Sequence, residues 1–226
     1  MDDWATDIPD YAIELAREFW PGPMTLILPR KDIAKNFITG SQNNVGLRVP
    51  AQPIALALLK KFEELGGHGV AAPSANRFGA VSPTTASAVE EELGEFFDTT
   101  DLVLDGGQCQ VGIESTIIDC TQPAPRLLRP GAITPNMIRL ISNSSIIISH
   151  EGNETRTSGL LESHYAPKAR VLLNRPAAFG DGIIALRNIP TPEGSIRLGE
   201  PINVEAFARD LYCLLTHLTL PTILRV

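Results

Sequence analysis

Hydrophobic and polar positions switch between two periods along this chain. Over residues 9–19, Ala12, Leu15, Ala16 and Phe19 recur at helical spacing behind Pro9, which suits a first turn, so an amphipathic helix is predicted. Residues 24–28 and 45–49 are short apolar runs and read as strands. Ile54, Ala57, Leu58, Phe62 and Leu65 return to the helical period between Pro53 and a Gly66-Gly67 stop. Residues 69–72 read as a short buried strand. Beyond it Ser82 is the predicted N-cap, with Pro83 at the first helical position, of a helix over 83–93 that buries Ala86, Val89 and Leu93. Segments 102–104, 113–119 and 126–129 continue the strands, and Thr134-Pro135 opens a helix to about residue 141. Residues 150–163 are polar and contain Gly and Ser, as a linker does. Two more strands are predicted over 170–173 and 182–186, then a helical stripe of Val204, Phe207, Ala208, Leu211, Leu214, Leu215 and Leu218.

Strands and helices alternate too irregularly for a simple doubly wound sheet. The predicted fold class is α/β: a twisted, open, mixed sheet over 1–145, a linker over 146–168 and a partial second α/β domain over 169–226.

Composition narrows the functional classes. At 226 residues and 43% hydrophobic, the chain can bury one good core and a second small one. A net charge of −7 argues against a free-standing nucleic-acid binder, because phosphate backbones are held mainly by clustered Lys and Arg, so any RNA link is expected to be indirect. Cys109, Cys120 and Cys213 have no CxxC spacing and leave one thiol over in any disulfide scheme, which fits a reducing cytosol; no metal site is read in them. Glu90-Glu91-Glu92 reads as a solvated helix face rather than a metal site. The start of the chain is acidic and no apolar run reaches the roughly 18 residues that span a bilayer, so a cytoplasmic protein without a membrane segment is expected.

Candidate chemistry lies where strands end. Ala72-Pro73-Ser74-Ala75-Asn76-Arg77, followed by Ser82-Pro83-Thr84, would carry hydroxyls and helix-start N–H groups towards a phosphate, although such a turn taken alone is more commonly just a capped loop. Period-two alternation over 113–119 puts Ile113, Ser115 and Ile117 on one face and Glu114, Thr116 and Ile118 on the other. The polar trio needs partners, which either cross-sheet bonding or a ligand supplies. Arg48 suits a carboxylate through paired hydrogen bonds, and serves equally as an edge-strand charge. Arg129, before Pro130-Gly131, is either a charge for a phosphate or a turn residue.

Five segments occur in a telling order: Trp20-Pro21-Gly22-Pro23-Met24-Thr25, Val45-Gly46-Leu47-Arg48-Val49-Pro50, the run from Ala72 through Thr84, Gly112-Ile113-Glu114-Ser115-Thr116-Ile117, and Leu128-Arg129-Pro130-Gly131-Ala132-Ile133. Together they resemble the YrdC/Sua5 family, the threonylcarbamoyl-AMP synthases. Ser163-His164-Tyr165-Ala166-Pro167 resembles the interdomain linker of its two-domain Sua5 branch. The resemblance implies a YrdC-like domain followed by a Rossmann-like Sua5 C-terminal domain. It implies synthesis of L-threonylcarbamoyladenylate and pyrophosphate from L-threonine, bicarbonate and ATP, with Mg2+ accompanying ATP. Arg48, the backbone at Ala72 and Ser115 would contact threonine. Asn44, Ser74, Ser82, Arg129 and Tyr165 would contact ATP, and Thr25 and Asn76 would shape the pocket. Tyr165 reads equally as a residue that packs the linker, and no covalent catalyst or protein metal site is implied. The link to tRNA is through other proteins that use the adenylate to make N6-threonylcarbamoyladenosine.

Two departures stand out. The family's Thr-Glu-Thr-Tyr-Gly-type strand and Lys-x-Arg-Pro motif do not occur, and Arg30-Lys31 lies too late to replace that pair. Thr157-Ser158-Gly159 stands where Ser-Pro-Gly is expected. The resemblance thus implies a chain shortened at both ends, and leaves a non-catalytic nucleotide- or double-stranded-RNA-binding module as the alternative. A carbamoyl-transfer module of hydrogenase maturation fits the linker less well.

Overall fold

The computed structural model describes residues 1–148, 167, 169–216 and 223–225. Its helices are α1 (Asp10–Phe19), α2 (Asn36–Thr39), α3 (Pro53–Glu64), α4 (Ala86–Leu93), α5 (Pro135–Ser142) and α6 (Val204–Thr216). Its strands are β1 (Met24–Pro29), β2 (Asn44–Leu47), β3 (Thr116–Asp119), β4 (Arg126–Arg129), β5 (Arg170–Leu172), β6 (Gly182–Ile184), β7 (Ile196–Gly199) and β8 (Ile223–Arg225). The chain forms two compact units, Met1–Ala72 with Glu114–Leu160 and Pro73–Ile113 with Leu161–Val226. Residues 73–113 therefore group with the C-terminal segment, whereas the sequence reading keeps them inside 1–145.

In the first unit the sheet runs β2-β1-β3-β4 and is mixed, as expected: β1 is antiparallel to β2 and parallel to β3, and β3 is antiparallel to β4. Alternation along β1 sends Met24, Leu26 and Leu28 into one core with Val45, Ile118 and Leu127, where Ala12 and Leu15 of α1 and Ile138 of α5 close the layer. Thr25 and Ile27 face the other way, where Ile27 meets Ile117 and Leu128. Ile117 pairs with Arg129 but Ile118 pairs with Leu127, so Leu128 is the extra residue of a bulge, a device that re-aims neighbouring side chains. The caps of α5 follow the expectation: Thr134 Oγ1 accepts from Met137 N at 3.3 Å and Pro135 opens the helix.

Several expectations fail, each for a tertiary reason. Residues 69–72 form no strand, because they join no ladder; the chain instead passes over Trp4, whose Nε1 donates to His68 O at 3.2 Å. The helix after it begins at Ala86, and its cap is Thr85, which accepts from Ala88 N at 3.2 Å. Ser82 is not the cap, since regular helix begins only at Ala86; its buried hydroxyl donates to Asn76 Oδ1 at 3.3 Å. Ala86, Val89 and Leu93 are only half-buried. Helix α3 forms where predicted, with Gln52 Oε1 accepting from Ala55 N at 2.7 Å, yet Ile54, Leu58, Phe62 and Leu65 remain exposed. Residues 102–104 are irregular, with Leu102 and Leu104 exposed. The strand predicted over 113–119 starts only at Thr116.

The second unit carries a sheet in the order β5-β8-β6-β7 with every described pairing parallel. Phe207, Leu211, Leu214 and Leu215 of α6 cover Ala169 and Ile184. Strand β7 was not legible in the sequence. Gly199 ends it, and a Cβ there would press on the flexible end of the Leu214 side chain of α6. Leu218, Tyr165 and nearly all of the predicted linker lie outside the described residues. Among the described residues no helix is long and apolar enough to cross a membrane, and no group of three or more His, Cys, Asp or Glu is placed to hold a metal ion.

Candidate functional site

Four of the five sequence segments converge at one end of the first sheet. Gly22 N donates to Val49 O at 2.9 Å, and Arg48 Nε donates to Gly22 O at 3.0 Å, tying the Trp20–Thr25 run to the end of β2. On the opposite side of β1, Thr116 N donates to Pro23 O at 3.0 Å. Trp20 Nε1 donates to Met24 O at 2.7 Å and closes the turn. Gly22 is required here, because a Cβ would lie 2.2 Å from Phe19 O. The start of β1, the end of β2, the start of β3 and the end of β4 thereby share one edge.

The polar trio divides between structure and site. Thr116 is fully buried, and its hydroxyl donates to Ile133 O at 2.9 Å and accepts from Ile133 N at 3.0 Å. It is a staple that holds the Leu128–Ile133 run against β3. Ser115 faces away from the core, with its Oγ 3.0 Å from Thr25 Oγ1. Arg129 donates to the same residue twice, from Nε to Ser115 O and from Nη2 to Ser115 Oγ, each at 3.0 Å. With Arg129 supplying a proton to Ser115 Oγ, the Ser115 O–H is available to Thr25 Oγ1. Arg129 Nη1 lies 3.6 Å from Glu114 Oε2, and the two side chains are only 11% and 19% exposed. Glu114 was expected on the same strand face as Thr116 and Ile118. Because regular strand begins only at Thr116, the alternation does not reach it, and Glu114 turns to Arg129 instead.

Glycines leave room around this cluster. A Cβ on Gly46 would sit 3.1 Å from Ile27 Cδ1 and 3.5 Å from Thr25 Cγ2, and one on Gly131 would sit 2.5 Å from Glu114 O and 2.6 Å from Thr116 N. Neither glycine nor Glu114 was among the expected site residues; the sequence signals for them were the Val-Gly-Leu-Arg and Arg-Pro-Gly runs and, for Glu114, the Gly112–Ile117 segment.

Arg48, Thr25, Ser115 and Arg129 therefore lie at one end of one sheet. Asn44 does not join them: it starts β2, four residues before Arg48 and so about 13 Å away along the strand at ~3.3 Å per residue. Ala72 is exposed on irregular chain. Arg30 is committed elsewhere, donating to Gln42 O, Ala34 O and Asn36 Oδ1 at 2.9, 2.8 and 2.6 Å.

Ser74, Asn76 and Ser82 belong to the second unit. Asn76 Nδ2 donates to Arg77 O at 2.9 Å and to Ala80 O at 3.0 Å, while its Oδ1 accepts from Ser82, which closes residues 76–82 into a compact turn. Arg77 anchors that turn on α4: its backbone N donates to Glu92 Oε1 at 3.1 Å, its guanidinium pairs with Glu95, and it lies 5.1 Å from the Phe96 ring centre. Glu92 thus has a partner within a run read as solvated. Ser74 is exposed. Tyr165 lies outside the described residues.

Away from this edge, burial and then the nearby Asp119 charge push the Cys120 thiol up to about 12. Burial likewise raises Tyr11, whose hydroxyl donates to Gln122 O at 2.7 Å. These groups are proton-bound parts of the core.

Comparison with known proteins agrees with the segment order. The Sua5_yciO_yrdC family model, described as telomere recombination, matches residues 1–131. The chain is 40% identical over 173 residues to the threonylcarbamoyl-AMP synthase of Pyrococcus abyssi, covering 75% of this chain and 49% of that protein. It is 36% identical over 173 residues to the Bacillus subtilis protein of the same name, covering 75% and 48%. Its structure is similar to that of P. abyssi Sua5 in complex with L-threonine, with a TM-score of 0.79 at 32% identity over 98% of this chain and 70% of the other. The chain spans about half the length of the curated relatives it matches. The ordered segments, the mixed sheet that gathers them and these matches agree: the chain belongs to the Sua5/YrdC family.

Proposed function

We propose that this chain performs threonylcarbamoyl-AMP synthesis, joining L-threonine, bicarbonate and ATP into L-threonylcarbamoyladenylate with release of pyrophosphate. The carrying observation is the Thr25–Ser115–Arg129 cluster, on the same sheet edge as Arg48, in a chain whose relatives bear that name. The shared name favours the synthase over a non-catalytic binding module.

In this reading the amine of threonine condenses with bicarbonate to give N-carboxy-threonine with loss of water, and its carboxylate attacks the α-phosphorus of ATP as the bond to pyrophosphate breaks. Arg48 would clasp the amino-acid carboxylate and Ser115 would hydrogen-bond it, with the Ala72 backbone alongside. Arg129 would offset charge growing on the phosphates. Held groups and fixed charge supply the rate, with no covalent intermediate. Mg2+ would travel with ATP, ligated chiefly by its phosphates and water. The adenylate would serve tRNA modification through other proteins, in the cytoplasm.

The test is pyrophosphate release from ATP with threonine and bicarbonate each withheld in turn. Release that requires both is expected, and Arg48→Ala or Ser115→Ala should lower kcat/KM at least about tenfold. Release that ignores threonine would overturn the assignment.

A further inference from the structure

Gly46 stands inside β2 without a reason in its own backbone. Glycine weakens a strand, and within one it answers to a left-handed φ, a bulge or a close approach from outside. The first does not apply, since Gly46 has no positive φ. Nor does the second: the ladder with β1 is unbroken, with Leu26 opposite Leu47, Ile27 opposite Gly46 and Leu28 opposite Val45. Packing asks for little. Among the described residues beyond its chain neighbours, a Cβ here would meet two atoms within 4 Å, the tip of Ile27 (Cδ1) at 3.1 Å and the methyl of Thr25 (Cγ2) at 3.5 Å. The position itself is exposed, so the room beside those two methyl groups opens outward. Arg48 follows two residues on, about 7 Å along the chain at ~3.3 Å per residue, and its Nε donates to Gly22 O at 3.0 Å, which keeps it at the edge where β1 begins. A guanidinium suited to a carboxylate therefore lies beside a small opening floored by methyl groups, the complement of an amino acid with a short β-branched side chain.

We propose that Gly46 sets which amino acid the site accepts: its missing side chain leaves the place where the methyl group of a bound threonine rests against Thr25 Cγ2 and Ile27 Cδ1, while Arg48 holds the carboxylate. The inference rests on the reading of this sheet edge as a threonine site. Any side chain at position 46 fills that place. Serine, which lacks the methyl group, does not need it.

The experiment is titration calorimetry of the intact chain with L-threonine and with L-serine. The parent is expected to favour threonine. Gly46→Ala should weaken threonine roughly tenfold, the lower end of what one such group is worth in a fitted apolar site, and should leave serine within about threefold of the parent. Gly46→Ser repeats the test if the alanine variant folds poorly. Equal losses for the two amino acids would make Gly46 a requirement of the strand and overturn the proposal. No loss for either, or a parent that binds neither or does not distinguish them, overturns it as well. Selective loss of threonine without any threonine- and bicarbonate-dependent pyrophosphate release sinks the synthase reading and leaves the methyl subsite intact, whereas such release with equal effects on both amino acids sinks the subsite alone.

Discussion

The two faces of the first sheet are made from the same strands and do opposite things. Towards α1 and α5, β1 presents Met24, Leu26 and Leu28, β3 presents Thr116 and Ile118, and every polar atom named there is bonded within the fold. One residue along each strand, the other face gives Thr25, Ser115 and Gly46 beside Ile27 and Ile117. Period-two geometry thus lets one short sheet separate the packed core from the face that carries the candidate site. Substitutions on the first face should act on folding and those on the second on turnover.

The largest effect should come from the packed face. Leu15→Ala, at a fully buried position, is expected to cost about 3 kcal/mol of unfolding free energy, within the usual range for Leu→Ala in a core, and urea unfolding checks it. A loss below about 1 kcal/mol would mean that α1 is not the lid of that layer. Thr116→Val sits on the same face but removes a polar staple. It strands Ile133 N–H and C=O, so a loss of about 2 kcal/mol is expected, with turnover falling as the Leu128–Ile133 run loosens.

Thr25→Val is the mirror test. It removes a hydroxyl 3.0 Å from Ser115 Oγ, and kcat/KM should drop roughly tenfold while the melting temperature moves by less than about 2 °C. Equal damage to stability and turnover would erase the distinction between the faces.

A pH series probes the packed face without mutation. Cys120 ionises near 12 in the folded chain against an ordinary 9.0, and Tyr11 is also raised, with burial the leading cause in each. Between those limits the unfolded thiol has lost its proton while the native one keeps it. Unfolding free energy should therefore be level below pH 9 and fall as pH rises from 9 towards 12, by at most about 1.4 kcal/mol per pH unit per group. Urea midpoints at pH 8 and about 10.5 should differ, and Cys120→Ala should shrink the difference; equal midpoints would contradict burial of the protonated thiol. The smallest effect belongs to neither face: Leu58→Ser, on the exposed stripe of α3, should change stability by less than about 0.5 kcal/mol.

Helices α1, α3 and α5 were all visible as periodic stripes bounded by Pro or a cap, because helix formation is decided within a few turns of chain. Their fates differ for a reason outside those stripes. Leu15 and Ile138 meet a sheet face, whereas Leu58 and Phe62 remain exposed. The cap at Ser82 failed in the same way: its residue type and the following Pro83 were suited to a helix start, but the regular helix begins only at Ala86, where Thr85 caps it.

For the site, Arg48, Ser115 and Arg129 were legible as residue types in ordered segments, and their chemistry followed from the guanidinium and hydroxyl groups themselves. By itself the sequence determined local periodicity, the glycine positions that admit close backbone approach, and family membership. Only the tertiary structure decided that Ser115 serves Arg129 while Thr116 serves Ile133, and that Glu114 turns towards the guanidinium. Those choices depend on where the ladder begins and on a bulge at Leu128, and both are set by pairing between strands distant in sequence.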